Sequence, residues 1–441
     1  MRRFLILFLA ALCLVPAGAL GDAPLPEALR VHENVETQTL KGSVYVNTAY
    51  PATASSSVDA EMRLLLDAMR EKALPFLPSK AASKSEGAYL DVQPSVYRTG
   101  QSYMSFLTTA IIRNSRRQTY VDYDARTYDM ADGRRLTLAD VVDGTGMDIL
   151  AAAVREQLDA YFPQKQADAA ALESLCTPEA MEAAGFTMNT AYLVLHYRAD
   201  SLYPGQDTLM HVRVPYTDLM DHLTEKALPQ TDNSDKMLIA LTYDDGPVVG
   251  RTMRLIRNLR AGGASATFFI VGDRIRYCPD EVTLAHDAGF DIASHNWLHV
   301  YRGSNRGKVQ LYRDKLNEKL GQVTGSQVRI MRAPGGSEDI FIQEDVHLPL
   351  IHWSVISKSK DNKVTDPAGE ARRLARNAKD GDIILLHDIY TGTDKMALTL
   401  PGLLADRGFL CVTVEEMFAA RGIELLPNEV YWDTRGNESK H

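Results

Sequence analysis

The sequence predicts an α/β fold for its second half, behind a first half of α+β character. Two observations carry this. From residue 237 onward, short apolar runs at 237–243, 266–271, 291–293, 328–331, 350–355, 382–386 and 409–413 alternate with helical patterns. That alternation predicts a parallel sheet, open or closed into a barrel. Upstream, residues 26–228 read as strands mixing aromatic, β-branched and polar residues, with a few helical stripes between them. A chain of 441 residues is long enough for two or three domains.

In the first half, residues 102–112 and 118–128 read as paired strands, with Asn114-Ser115-Arg116-Arg117 as their hairpin turn. Val58, Met62, Leu65, Leu66 and Met69 fall on one helical stripe, with Ser56 or Ser57 as its cap. Leu150, Val154, Leu158 and Tyr161 form a second stripe. Residues 128–141 read as a strand, a tight Asp132-Gly133 turn and a capped helix start. Residues 229–236, polar and rich in turn formers, read as a linker to a unit spanning 237–425. Residues 426–441 remain as a tail.

Bulk composition narrows the function. Hydrophobic residues are 45% and charged residues 24%, as in ordinary globular proteins. Net charge is −9. Residues 237–425 carry 24 basic and 24 acidic side chains, so the acidic excess lies elsewhere. No basic face is implied, which argues against a nucleic-acid partner. Residues 1–21 read as an export signal: Arg2 and Arg3, then an apolar run over 4–15 too short to span a bilayer comfortably, then Ala17-Gly18-Ala19. An uncleaved N-terminal anchor is the alternative. Leu12 before Cys13 rules out a lipoprotein reading. The protein is expected to be secreted or associated with the cell envelope. After cleavage Cys176, Cys278 and Cys411 remain, an odd number that one chain cannot fully pair. Cys278 and Cys411 read as buried small hydrophobes.

The chemistry is concentrated in four elements: Thr242-Tyr243-Asp244-Asp245-Gly246-Pro247, Ser294-His295-Asn296-Trp297-Leu298-His299, Arg332-Ala333-Pro334-Gly335-Gly336, and Leu385-Leu386-His387-Asp388. His295 and His299 are spaced i and i+4, which on a helical turn puts both imidazoles on one side. With Asp245 they make a His₂-carboxylate set, a common open divalent site. Asp244, next to Asp245, is free to serve as a base toward a water acidified by that ion. These polar residues fall at or just after the carboxyl ends of the expected strands, where such folds build their sites.

Together the four elements resemble the polysaccharide deacetylases of the NodB-homology type, carbohydrate esterase family 4, over roughly residues 237–425. The resemblance implies a distorted (β/α) barrel of seven strands. It implies that Asp245, His295 and His299 bind one divalent metal, zinc first, with cobalt, nickel or manganese as alternatives. Asp244 is then the base, held by Arg332, and His387 the general acid toward the leaving amine. The Gly335 N–H helps bind the oxyanion, while Tyr243, Pro334 and Leu385 contact the substrate. The family's usual Asp-Trp pair is matched best by Asp361-Asn362, two residues late. Asp361 would orient His387, and Asn362 replaces the Trp that walls the pocket. Residues 128–141, 186–197 and 210–219 resemble a domain found upstream of some exported peptidoglycan deacetylases and in a lysozyme-sensing anti-sigma factor. The expected activity is de-N-acetylation of an amino-sugar polysaccharide, peptidoglycan first, and the upstream domain is expected to meet a wall component or protein. The rivals are an O-acetyl esterase on the same site and a sensing protein with a weakened catalytic half. Oligomeric state is not readable from the sequence.

Overall fold

A computed structural model of the chain describes residues 24–84, 86–115, 117–300, 305–357 and 364–436. The first half opens with β1 (His32–Leu40), β2 (Val44–Ala52), α1 (Ser56–Ala73), β3 (Ala88–Thr99), β4 (Tyr103–Asn114), β5 (Arg117–Asp129) and β6 (Arg134–Arg135). The six strands form one sheet in chain order; β2 and β3 run parallel and the other neighbours antiparallel. The N-cap of α1 is Ser55, whose side chain accepts from the Val58 N–H, one residue before the serines expected. Asn114 faces Arg117 across the β4–β5 hairpin, as the turn sequence implies.

Next come α2 (Leu138–Val141), α3 (Gly144–Asp159), α4 (Ala169–Leu175), α5 (Pro178–Ala184), β7 (Phe186–Met188), β8 (Tyr192–Arg198), β9 (Leu209–Pro215) and α6 (Tyr216–Leu219). Thr137 opens α2 with a capping box to Asp140, after a turn at Gly133 with φ +73°. Leu150, Val154 and Leu158 point from α3 into a core shared with the antiparallel β7–β8–β9 sheet.

The second half contains β10 (Met237–Asp244), α7 (Arg251–Ala261), β11 (Thr267–Ile270), α8 (Pro279–Asp287), β12 (Asp291–Ser294), α9 (Val309–Thr324), α10 (Asp339–Gln343), β13 (Leu350–Ile351), β14 (Val355–Ile356), α11 (Pro367–Asn377), β15 (Ile383–His387), α12 (Thr393–Met396), α13 (Leu400–Ala405), β16 (Phe409–Val412), α14 (Val414–Ala420) and β17 (Val430–Tyr431). The strands pair in parallel in the order β12-β11-β10-β15-β14, and β16 joins the first half of β10. Met331 bridges Ser294 on one side and Leu350 on the other. The sheet therefore curls back toward itself through residues 350–356, as a distorted barrel.

Three expectations need correction. Residues 328–331 form no strand, only the Met331 bridges. The strand expected over 350–355 is split into β13 and β14. Arg332 takes the Ile351 and His352 carbonyls as hydrogen-bond acceptors, so those groups are lost to a ladder. Residues 229–236 are no loose linker: Asn233 is 3% exposed, and its side chain bonds Gly100 N, Thr99 Oγ1 and the Thr190 carbonyl. The tail begins in a packed segment, since β17 pairs with β13. Among the described residues, Cys176, Cys278 and Cys411 are all free thiols, the first two buried.

β4 explains how the halves join. All but its last residue are buried, because both of its faces are covered. Met104, Phe106, Ala110 and Ile112 pack under α1. On the alternate face, Thr109 meets Arg260 of α7, Ile111 joins the core beneath the barrel helices, and Arg113 pairs with Glu281 of α8 at 3.0 Å. Both members of that ion pair are buried. Arg113→Ala would strand the carboxylate and should cost about 3–5 kcal/mol. The double change Arg113→Met with Glu281→Met should recover most of it, as read from urea-unfolding midpoints.

Candidate active site

Parallel pairing places the ends of β10, β12 and β15 on one side of the barrel. Asp244 ends β10 and faces His387, the last residue of β15, across the ladder; Thr242 faces Leu385 two residues earlier. By the period of two these four share one sheet face. Asp244 is 3% exposed. One Arg332 Nη donates to Asp244 Oδ1 at 2.7 Å and to Thr242 Oγ1 at 2.8 Å. The Arg332 Nε and its other Nη donate to the Ile351 and His352 carbonyls at 3.0 and 2.9 Å.

Asp245 turns away from the strand with φ +72°, a left-handed conformation that Asp tolerates better than most residues. Its Oδ1 lies 3.4 Å from His295 Nε2 and 3.2 Å from His299 Nε2. The two histidines follow β12 on a loop, not on the helical turn expected from their spacing; Asn296, at φ +69°, bends the chain between them. Their rings come within 5.2 Å, centre to centre.

This trio suits a cation. His295 Nδ1 donates to the Arg332 carbonyl at 2.9 Å. That bond fixes the tautomer and leaves a lone pair on Nε2. Asp245 Oδ1 is buried and, among the described residues, accepts no hydrogen bond. Burial pushes the Asp245 carboxyl up, but the His295 contact and the imidazoles of His299 and His387 outweigh it and hold it at about 2. Burial also lowers His299, against the pull of Asp245, which favours the neutral form that binds metal. One ligand atom from each residue lies within 4.8 Å of the others, and among the described residues this is the cluster able to hold a metal.

The remaining expected residues divide. Pro334 starts a short turn, Pro334–Gly336, in which Gly335 is exposed at φ +69°. Leu385 is buried on the face of His387. Tyr243 is not a cleft residue: it is 1% exposed, stacks on Phe268 at 5.4 Å, and belongs to the core on the face opposite Asp244. Asp361 and Asn362 lie outside the described residues. Two contributors escaped the sequence reading. Thr242 braces Arg332, and Asp388 fills the space beside Gly246. A methyl at Gly246 would overlap Asp388 Oδ2. Thr252 Oγ1 donates to that same oxygen at 2.5 Å. The position of Asp388, directly after His387, was the available signal.

Residues 231–347 match the family model described as polysaccharide deacetylase. The chain carries a NodB-type polysaccharide deacetylase domain. It is 27% identical over 239 residues to a peptidoglycan-N-acetylglucosamine deacetylase of Listeria monocytogenes, covering 52% of this chain and 50% of that one. It is 24% identical over 276 residues to a peptidoglycan-N-acetylmuramic acid deacetylase of Bacillus subtilis, covering 57% and 58%. The chain thus spans about half the length of the curated relatives it matches. A solved peptidoglycan deacetylase structure from Bacillus subtilis aligns with TM-score 0.40 and 26% identity, over 43% of this chain and 94% of that one.

Two predictions follow from the geometry of the deacetylase domain. His299→Ala and Asp245→Asn should each weaken zinc or cobalt binding by at least the ~10–100-fold typical of losing a supporting group, read by calorimetry on the purified chain. Burial pushes Asp388 up to about 7, so between about pH 4 and 7 the folded state keeps a proton that the unfolded state releases. Wild-type stability should therefore fall relative to Asp388→Asn as pH rises through that window, by at most ~1.4 kcal/mol per pH unit, and level off above it. A pH-independent difference in urea midpoints would contradict this.

Proposed function

We propose that the protein is an exported, metal-dependent de-N-acetylase of an amino-sugar polysaccharide, with peptidoglycan as the first candidate. One observation carries the proposal. Three lone-pair donors, Asp245, His295 and His299, converge beside a second carboxylate, Asp244, that Arg332 holds separately. The relatives named as peptidoglycan deacetylases support the substrate class. Export rests on the basic start and apolar run of residues 1–21, which lie outside the described residues.

Asp245, His295 and His299 would hold the ion, which when bound supplies Lewis-acid polarisation of the acetamide carbonyl and a water acidic enough for a carboxylate base. Asp244 takes the proton of the attacking water. Its Oδ1 is occupied by Arg332, so Oδ2, which lies 3.9 Å from His295 Nε2, is the oxygen turned toward the cluster. The Gly335 N–H donates to the oxygen that becomes negative as water adds to the carbonyl carbon. His387, across the ladder from Asp244, gives a proton to the nitrogen as the C–N bond breaks. Acetate and the free amine leave.

The test is acetate release from purified peptidoglycan, chito-oligosaccharides and acetylated xylan, with and without added zinc or cobalt. Release from peptidoglycan should vanish on chelation and return with metal. Asp244→Asn should lower kcat by about 10²–10⁴-fold with metal affinity kept. Release from xylan alone would replace the reading with an O-acetyl esterase. No release from any substrate, with metal bound, would sink it.

A further inference from the structure

The chemistry above gives no role to the column of rings that ends in Trp432. The Arg332 guanidinium carbon lies 4.1 Å from the centre of the Phe269 ring and 5.8 Å from that of Trp353. His352 stacks on Trp353 at 3.8 Å and 20°, and meets Trp432 at 3.4 Å and 35°. The backbone repeats this order. Arg332 donates to the Ile351 and His352 carbonyls. On the other side, His352 N donates to the Tyr431 carbonyl at 2.7 Å and Leu350 N to the Glu429 carbonyl at 2.8 Å. Arg435 ties the end of the segment to Asp382.

Residues 350–353 are therefore gripped between Arg332 and residues 429–432. His352 sits where the β13–β14 strand is interrupted, so a regular ladder does not fix its peptide. The position of its carbonyl depends on the Tyr431 bond and on its ring, which Glu338 meets at the Nε2 edge at 3.1 Å while the two tryptophans take its faces. We propose that Trp432 is a positioning residue: by closing the outer face of His352 it holds the carbonyl that orients Arg332, and so the Asp244 carboxylate. A guanidinium held by a fork of acceptors aims its remaining N–H groups in one direction only. A shift of about 1 Å in a catalytic group can cost about 10²-fold in rate.

The experiment uses the full chain with Trp432→Ala and Trp432→Phe. Trp432→Ala should lower kcat about 10–100-fold, with KM and divalent-ion affinity unchanged, and Trp432→Phe should restore most of it. The control is Val154→Ala, in the buried core under α3 and away from the site, which should lower melting temperature without lowering kcat. The kinetic arm rests on the deacetylase reading. A second arm does not: in arginine-labelled protein, the Arg332 Nε–H resonance, assigned with Arg332→Lys, should exchange slowly with water in the wild type and Trp432→Phe, and fast in Trp432→Ala. If the wild type releases no acetate, the deacetylase reading fails and the exchange arm alone decides. Wild-type exchange in Trp432→Ala would overturn the positioning role. So would a loss of kcat that Val154→Ala reproduces at matched loss of melting temperature.

Discussion

The site depends on one buried charge. Arg332 is 1% exposed, and taking a guanidinium out of water costs several kcal/mol unless its N–H groups and charge are matched. Here Asp244 matches the charge, while Thr242, Ile351 and His352 supply the other acceptors and Phe269 lies against the flat face. The guanidinium thus fastens β10 to the 350–353 crossing. The same demand for acceptors explains why the sheet stops being regular there. A ladder that used the Ile351 and His352 carbonyls would leave the cation unsatisfied, and an unsatisfied buried cation costs more than two ladder bonds. The backbone carbonyl of Arg332, in turn, accepts from His295 Nδ1, so the same residue helps orient both His295 and Asp244.

The upstream half is joined to this structure by more than chain connectivity. Arg113 with Glu281, and Arg213 with Asp291, cross from upstream strands to α8 and β12. Arg260 of α7 reaches the Gln93 carbonyl and Thr109. Charges buried at a surface between two freely moving units would be exposed and resolvated at each separation. Arg113, Glu281, Asp291 and Arg260 are buried there and Arg213 is half-buried, which argues for a fixed arrangement, with α7 and α8 packed on the sheet behind the site.

How much was legible in the sequence follows from how local each feature is. The four motifs were readable because strand ends in a parallel sheet meet automatically. Knowing that Asp244, Ser294 and His387 end strands is enough to bring their neighbours together. The seven apolar runs were readable for the same reason, except at 328–331, where the pairing shrinks to the bridges of Met331, and at 350–355, where the Arg332 side chain claims the Ile351 and His352 carbonyls. The i, i+4 spacing of His295 and His299 suggested a helix, but Asn296 takes a left-handed conformation that spacing cannot reveal. Tyr243 was placed in the cleft because it lies inside the motif, although strand alternation alone puts it opposite Asp244. Asn233 looked like linker polarity, whereas its amide satisfies three groups of the upstream half. Trp432 offered no signal, because its partner His352 is distant in sequence and the pairing of β17 with β13 spans two residues.

The two adjacent aspartates show why order within a motif matters. Successive residues of a strand point to opposite faces, so an extended Asp-Asp would send one carboxylate into the hydrophobic layer with Tyr243 and Phe268. The left-handed turn at Asp245 avoids this by rotating its side chain back toward His295 and His299, while Asp244 keeps strand geometry and the Arg332 pair. The chain must then leave tightly. Asp388, held by Thr252, occupies the volume where the next side chain would begin, so Gly246 is the residue without a Cβ to clash. Exchanging the roles of the two aspartates would require Arg332 to follow the turned residue, away from the acceptors at Ile351 and His352. Which of the two aspartates pairs with Arg332 and which faces the histidines is thus set by backbone conformation and by the far side of Arg332, since the two side chains are chemically identical.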